Sequence, residues 1–215
     1  MQAINKQPIL KQELVNSIVH AAGILFGVIF IPYLIIFALK TAGYIRVIAT
    51  CFYGLGFIMV FTFSTLYHFI LQPKIKELLK VFDHISIYFL IAGTYTPLVI
   101  VFVPNQFGFS LLITLWMLTI IGSVLKLFFI NKFDLLSTLL YILMGLILFT
   151  GGRRFFILMP QTIITLIIAG VVLYCIGVVF YIWKKFQYHH GIWHLLVLIA
   201  AVCHYFAILL AIKNY

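Results

Sequence analysis

Charge is the scarcest commodity in this chain. Of its 215 residues only 8% are charged, against roughly 25% in an ordinary soluble domain. Four residues are acidic, 65% are hydrophobic, and the formal net charge is +10. No soluble core can bury that much apolar surface, so lipid must serve as the solvent for most of the chain. Strict alternation of apolar and polar residues is also missing, which excludes the strands of an outer-membrane barrel. Cysteine is sparse: Cys51, Cys175 and Cys203 fall at unrelated depths of apolar runs. They form neither a disulfide framework nor a CxxC metal site, and are expected to be buried packing groups. No internal repeat and no low-complexity linker is present.

What is there is a series of continuous apolar runs, each about the 17–25 residues that an α-helix needs to cross the hydrocarbon. Seven are read, at about 17–39, 44–71, 82–103, 108–130, 135–150, 162–183 and 191–212. The fifth is the shortest and ends at Gly151-Gly152. The expected fold is an all-α membrane protein, a seven-transmembrane-helix bundle, preceded by a polar N-terminal segment at 1–16. The first span is long and lacks a small-residue cleavage site, so it is expected to be a retained helix and not a signal peptide.

Seven crossings put the termini on opposite sides. The N-terminal side then carries nine Lys residues (Lys6, Lys11, Lys74, Lys76, Lys80, Lys126, Lys132, Lys184 and Lys185). The other side carries Lys40, Arg46, Arg153, Arg154 and Lys213. The excess predicts a cytoplasmic N-terminus and an extracellular C-terminus. Lysines near anionic headgroups account for most of the net charge, and no nucleic-acid partner is required. Membrane lipids are the expected partners, and the cell membrane the expected location.

With this topology, polar residues that apolar spans rarely carry fall on one face of the membrane. They are His68 in Ser64-Thr-Leu-Tyr-His68, Asp83 a short loop later, and His190-Gly-Ile-Trp-His194. Residues four apart on a helix lie on one face about 6 Å apart along the axis, so His190 and His194 can chelate one ion. Only His190, and not His189, has that spacing to His194. Three imidazoles and a water are a set that holds zinc. Ser64 sits one turn from His68 on the same face, free to join the site or to bond the Val60 carbonyl. Asp83 could orient a metal-bound water, accept its proton, or hold a ligand imidazole. Glu13, Asn16 and His20 share a face of the first span and read as a polar seam packing helices together. His204, about 21 Å along the helix from His190, is too far to share the ion; a buried hydrogen bond suits it. His84 points roughly 100° away from Asp83 around its helix and has no assigned role. Tyr67, Trp183, Tyr188 and Trp193 read as interfacial anchors.

The chain resembles a known family at these residues. Ser64-Thr-Leu-Tyr-His68, Asp83-His84-Ile-Ser-Ile-Tyr, Ala92-Gly-Thr-Tyr-Thr-Pro97 and His190-Gly-Ile-Trp-His194 look like the bacterial hemolysin III proteins. These sit within the larger progestin and adiponectin receptor superfamily. Glu13-Leu-Val-Asn16-Ser-Ile-Val-His20 matches that family's opening pattern, and the resemblance covers essentially the whole chain. It implies zinc held by His68, His190 and His194, with Asp83 beside the metal-bound water. Ser64 matches a serine common to the hydrolase-like members.

Three functions follow as expectations. The first is a zinc-dependent hydrolase of lipid amides or esters, with Asp83 as general base and Ser64 as an oxyanion or water contact. The second is a non-catalytic regulator of lipid or energy homeostasis in which zinc staples helices. The third is the cytolysin that the family name implies, although the spans offer no continuous polar lining for a pore. The last span has no lysine before Lys213 at its outer end, which argues against a retinal-type photoreceptor.

Overall fold

The computed structural model describes residues 7–129, 132, 134–151, 153–183, 185 and 187–214. Lys6 and Lys184, both counted above, and the first six residues of the N-terminal segment lie outside them. The described chain is helical: α1 (Gln7–Thr41), α2 (Tyr44–Phe69), α3 (Pro73–Phe102), α4 (Gln106–Phe129), α5 (Asp134–Leu146), a 3-10 segment (Ile147–Gly151), α6 (Arg153–Phe156), α7 (Gln161–Ile182) and α8 (His189–Asn214). Among the described residues no strand occurs.

Six of these helices are long and apolar enough to cross a membrane; α5, at 13 residues, is the shorter apolar one. The bundle is a multi-pass membrane architecture. Its outward surface carries large apolar side chains such as Leu25, Ile45, Ile113 and Leu143, which only lipid could solvate.

The helix limits depart from the sequence reading at several places. The fifth run leaves α-geometry at Leu146 and tightens into the 3-10 segment. α3 begins at Pro73, nine residues before the expected start, so Asp83 lies well inside the helix and not in its first turn. Pro73 occupies the first turn, where its missing N–H costs nothing and its fixed φ favours the helix. α1 already runs by Gln7. Its polar residues did not end the helix, because Asn16, Ser17 and His20 turn inward and are buried. The cysteines also differ: Cys51 and Cys175 are exposed on the bundle's outer surface and Cys203 is half-buried. A thiol behaves as a small hydrophobe, so the apolar contact expected of a protein core is here available from lipid.

Two glycines bring α2 and α3 together. A Cβ on Gly56 would lie 2.6 Å from the Phe89 carbonyl oxygen, and one on Gly93 2.7 Å from that of Phe52. The backbones therefore touch, as small residues allow in membrane bundles where lipid leaves packing as the main drive. That antiparallel register sets Gly56 against Phe89 and Leu90, and Gly93 against Phe52 and Tyr53. It carries Ser64 to within a turn of Asp83. At the far half, the Tyr205 hydroxyl donates to the Phe30 carbonyl at 3.1 Å, tying α8 to α1. His204 is bonded through Nε2 to the Ile167 carbonyl at 3.2 Å, the buried hydrogen bond expected of it, and its ring fills the space beside Gly170.

Gly56→Val should therefore cost about 1–3 kcal/mol, as overpacking does, seen as a lower unfolding temperature in detergent. Gly145→Ala, whose Cβ would meet nothing within 4 Å, should cost no stability.

Candidate metal centre

The N-terminal ends of α1, α3 and α8 and the C-terminal end of α2 meet at one end of the bundle. There His68, His190 and His194 form a group whose ligand atoms all lie within 4.8 Å of one another. His68 and His194 are buried and His190 is partly so. The rings meet edge to face: centroids are 4.4 Å apart for His190 and His194, 4.8 Å for His68 and His194, and 5.2 Å for His68 and His190.

Each ring is fixed from behind. Nδ1 of His68 donates to the Glu13 carboxylate at 2.6 Å, with the Asn16 amide nitrogen at 3.5 Å. A carboxylate only accepts, so the proton of His68 sits on Nδ1 and its Nε2 lone pair faces the cluster. Glu13 also binds Lys76 of α3 at 3.1 Å, and Lys76 in turn donates to the Tyr67 carbonyl at 2.8 Å and covers the Tyr67 ring. Nδ1 of His194 meets Nε2 of His20 at 2.5 Å. The His190 ring packs between Trp193 and Tyr181, at 4.9 and 6.0 Å. Tyr67 and Trp193, read as interfacial anchors, thus line the cluster.

The two Nε2 atoms of His68 and His194 approach to 2.9 Å. Two proton arrangements satisfy this geometry. In one, His20 donates to His194, and His194 passes its own Nε2 proton toward His68. In the other, both rings carry the proton on Nδ1 and turn lone pairs toward each other, which is favourable only with a cation between them. The observed spacing is a few tenths of an ångström below the ~3.3 Å edge that two ~2.0 Å bonds span at a tetrahedral centre. The residues fit a metal. Three imidazoles suit zinc, copper, iron or nickel, and the donor set does not choose among them.

Asp83 and Ser64 lie beside the cluster and outside the ligand group. Asp83 is buried and close enough to His68, His84 and Lys76 to interact electrostatically. Ser64 is buried next to it. Its hydroxyl makes no hydrogen bond to the Val60 carbonyl and is in hydrogen-bonding contact with the Asp83 carboxylate. His189 turns away to the Phe180 carbonyl at 3.0 Å, and His84 bonds the Lys80 carbonyl at 2.8 Å.

Glu13, Asn16 and His20, read as a packing seam, do pack helices together, but at the cluster. Their positions at i, i+3 and i+7 where the helix turns apolar carried that signal, because polar groups at such depth must meet polar partners.

These features define a class: a multi-pass α-helical membrane protein with a buried three-histidine cluster at one end of its bundle. The chain belongs to the haemolysin-III-related family, whose model matches residues 9–205. It is similar to the hemolysin-3 homolog of Bacillus subtilis (strain 168), at 36% identity over 93% of this chain and 94% of that protein. It is equally similar to hemolysin-3 of Bacillus cereus, over 93% and 91%. More distantly, it matches the human monocyte to macrophage differentiation factor at 26% identity over 73% of the chain and 67% of the relative. That match extends the relationship into the progestin and adiponectin receptor superfamily. No solved structure matches the chain.

Elemental analysis of detergent-purified protein should find a transition metal near one ion per chain, lost in a His190→Ala/His194→Ala double variant. Equal metal in the two would remove the centre.

Proposed function

We propose that this chain is a zinc-dependent membrane hydrolase of lipid amides or esters, with His68, His190 and His194 as the metal ligands. The observation that carries the reading is the buried pair of the Ser64 hydroxyl and the Asp83 carboxylate, in hydrogen-bonding contact with each other and next to the histidine cluster. A staple that only joined helices would need neither group.

Zinc at such a site lowers the pKa of its water toward about 7 and polarises a carbonyl. Asp83 accepts the proton of the attacking water and returns it to the leaving amine or alcohol. Ser64 donates its hydroxyl hydrogen to the substrate's carbonyl oxygen, or orients the water. Glu13 and Asn16 keep His68 in place. The apolar surface of the helices offers the acyl chain a setting like the bilayer it comes from.

The topology belongs to the same reading. The α5 helix and the 3-10 segment after it rise by about 30 Å at ~1.5 and ~2.0 Å per residue, the thickness of the hydrocarbon. They supply the seventh crossing. The N-terminus and the metal centre are then cytoplasmic and the C-terminus extracellular, in the cell membrane, the orientation that the lysine excess favours.

A second reading, a regulator in which the metal is structural, draws on the same cluster, because it joins α2 to α8 and is backed by α1. Turnover separates the two. Asp83→Asn should keep its zinc yet lose about 10²–10⁴-fold in hydrolysis of a panel of lipid amides and esters. Wild-type protein that holds zinc but consumes no member of the panel supports the structural reading instead. Labelling of single cysteines placed near residues 12 and 213 in intact cells should find the two on opposite sides; the same side would rule out the seventh crossing.

A further inference from the structure

His20 is a residue that the hydrolytic reading leaves without work. It lies on α1, buried to 2% exposure. Its Nε2 faces Nδ1 of His194, the rings meet at 86° with centroids 4.1 Å apart, and its own Nδ1 has no partner among the described residues. Its other ring contact among the described residues is Phe61, centroid 5.2 Å away. A phenylalanine or leucine would fill the space and remove the unsatisfied Nδ1 of His20, but would leave Nδ1 of His194 without its partner, so filling space does not account for an imidazole.

The approach of α1 to α8 is also specified. A Cβ on Gly191, one residue after His190, would meet Val15 at 3.1 Å and the Asn16 side-chain oxygen at 3.3 Å. The glycine lets the first turns of α8 lie close against α1, which brings His20 to the back of His194. The arrangement parallels that of His68, where Glu13 of the same helix holds Nδ1. A metal-bound imidazole commonly donates its second ring N–H to a fixed acceptor, which sets the tautomer and the ring's direction. His68 has a carboxylate for that purpose, and His194 has His20.

We propose that His20 is a positioning residue of the metal centre: it accepts the Nδ1 proton of His194 and thereby directs the Nε2 lone pair of His194 to the metal. The proposal rests on the reading that the three histidines bind zinc, and it stands whether the centre is hydrolytic or structural. His20 touches neither metal nor substrate.

The test uses the full chain in detergent, as wild type, His20→Phe and His20→Gln, titrated with zinc against a chelator and melted with and without zinc. Gln offers a carbonyl acceptor in place of Nε2; Phe offers shape without one. His20→Phe should bind zinc about 10–100-fold more weakly and lose most of the melting shift that zinc gives. Its zinc-free melting temperature should change far less than the zinc-bound one, because the unsatisfied Nδ1 of His20 is exchanged for one on His194. His20→Gln should remain within a few-fold of wild type in affinity. If His20→Phe does not fold, His20→Met takes its place with the same expectation. Equal zinc affinity in wild type and the Phe or Met variant overturns the positioning role while leaving the metal centre intact. Equal loss of melting temperature with and without zinc also overturns it, in favour of packing. Wild-type protein that binds no zinc overturns the metal centre itself, and this proposal with it.

Discussion

A hydrogen bond of 2.6 Å from His68 of the second helix to Glu13 of the first anchors this molecule. An imidazole has two ring nitrogens, and burial makes each one expensive to leave unmatched. Once Nδ1–H donates to Glu13, the other nitrogen of His68 can only accept, and whatever lies opposite must bring a proton or a positive charge. Most of the polar chemistry at this end of the bundle follows. His194 stands 2.9 Å away, His20 stands behind His194, and Lys76 balances the carboxylate at 3.1 Å. Three of the four helices that supply these groups are consecutive and the fourth, α8, is far along the chain, and losing the contact of His68 to Glu13 or of His194 to His20 orphans a buried nitrogen.

Backbone contact does the complementary work. Gly56 and Gly93 let α2 and α3 run close enough that Ser64 and Asp83 share a level, and Gly191 lets α8 approach α1. Side-chain chemistry is thus set by positions with no side chain. Lipid solvates apolar surface as well as the protein interior does, so tight contact of this kind, and not burial from water, is what selects one arrangement of helices.

Much of this was legible in the sequence. Continuous apolar runs gave the helices, because a bilayer demands internally satisfied backbone over a fixed length. The HxxxH spacing gave His190 and His194, because a helix has a fixed pitch, and it separated His190 from His189. The start of α3 was less legible: Lys74, Lys76, Glu77 and Lys80 looked like a loop by polarity, though a helix tolerates all of them at a membrane surface. The fifth run was harder, since composition does not reveal where an α-helix tightens into a 3-10 segment. The role of α1 was half legible. Periodicity showed that Glu13, Asn16 and His20 share a face, but their partners lie 52 to 174 residues away, and no local pattern encodes such a meeting.

That separation has a consequence for how the protein is made. His68 and His194 are 126 residues apart, which at about 5–20 residues per second is roughly 6–25 s of synthesis. During that time the first two helices can already be in the membrane while the last has not left the ribosome. Glu13 and His68 belong to those two helices, so they can neutralise each other's cost at once, whereas His20 must wait for α8. The early pair protects the polar half of an unfinished site, and the first helix then serves as the surface on which the last one docks.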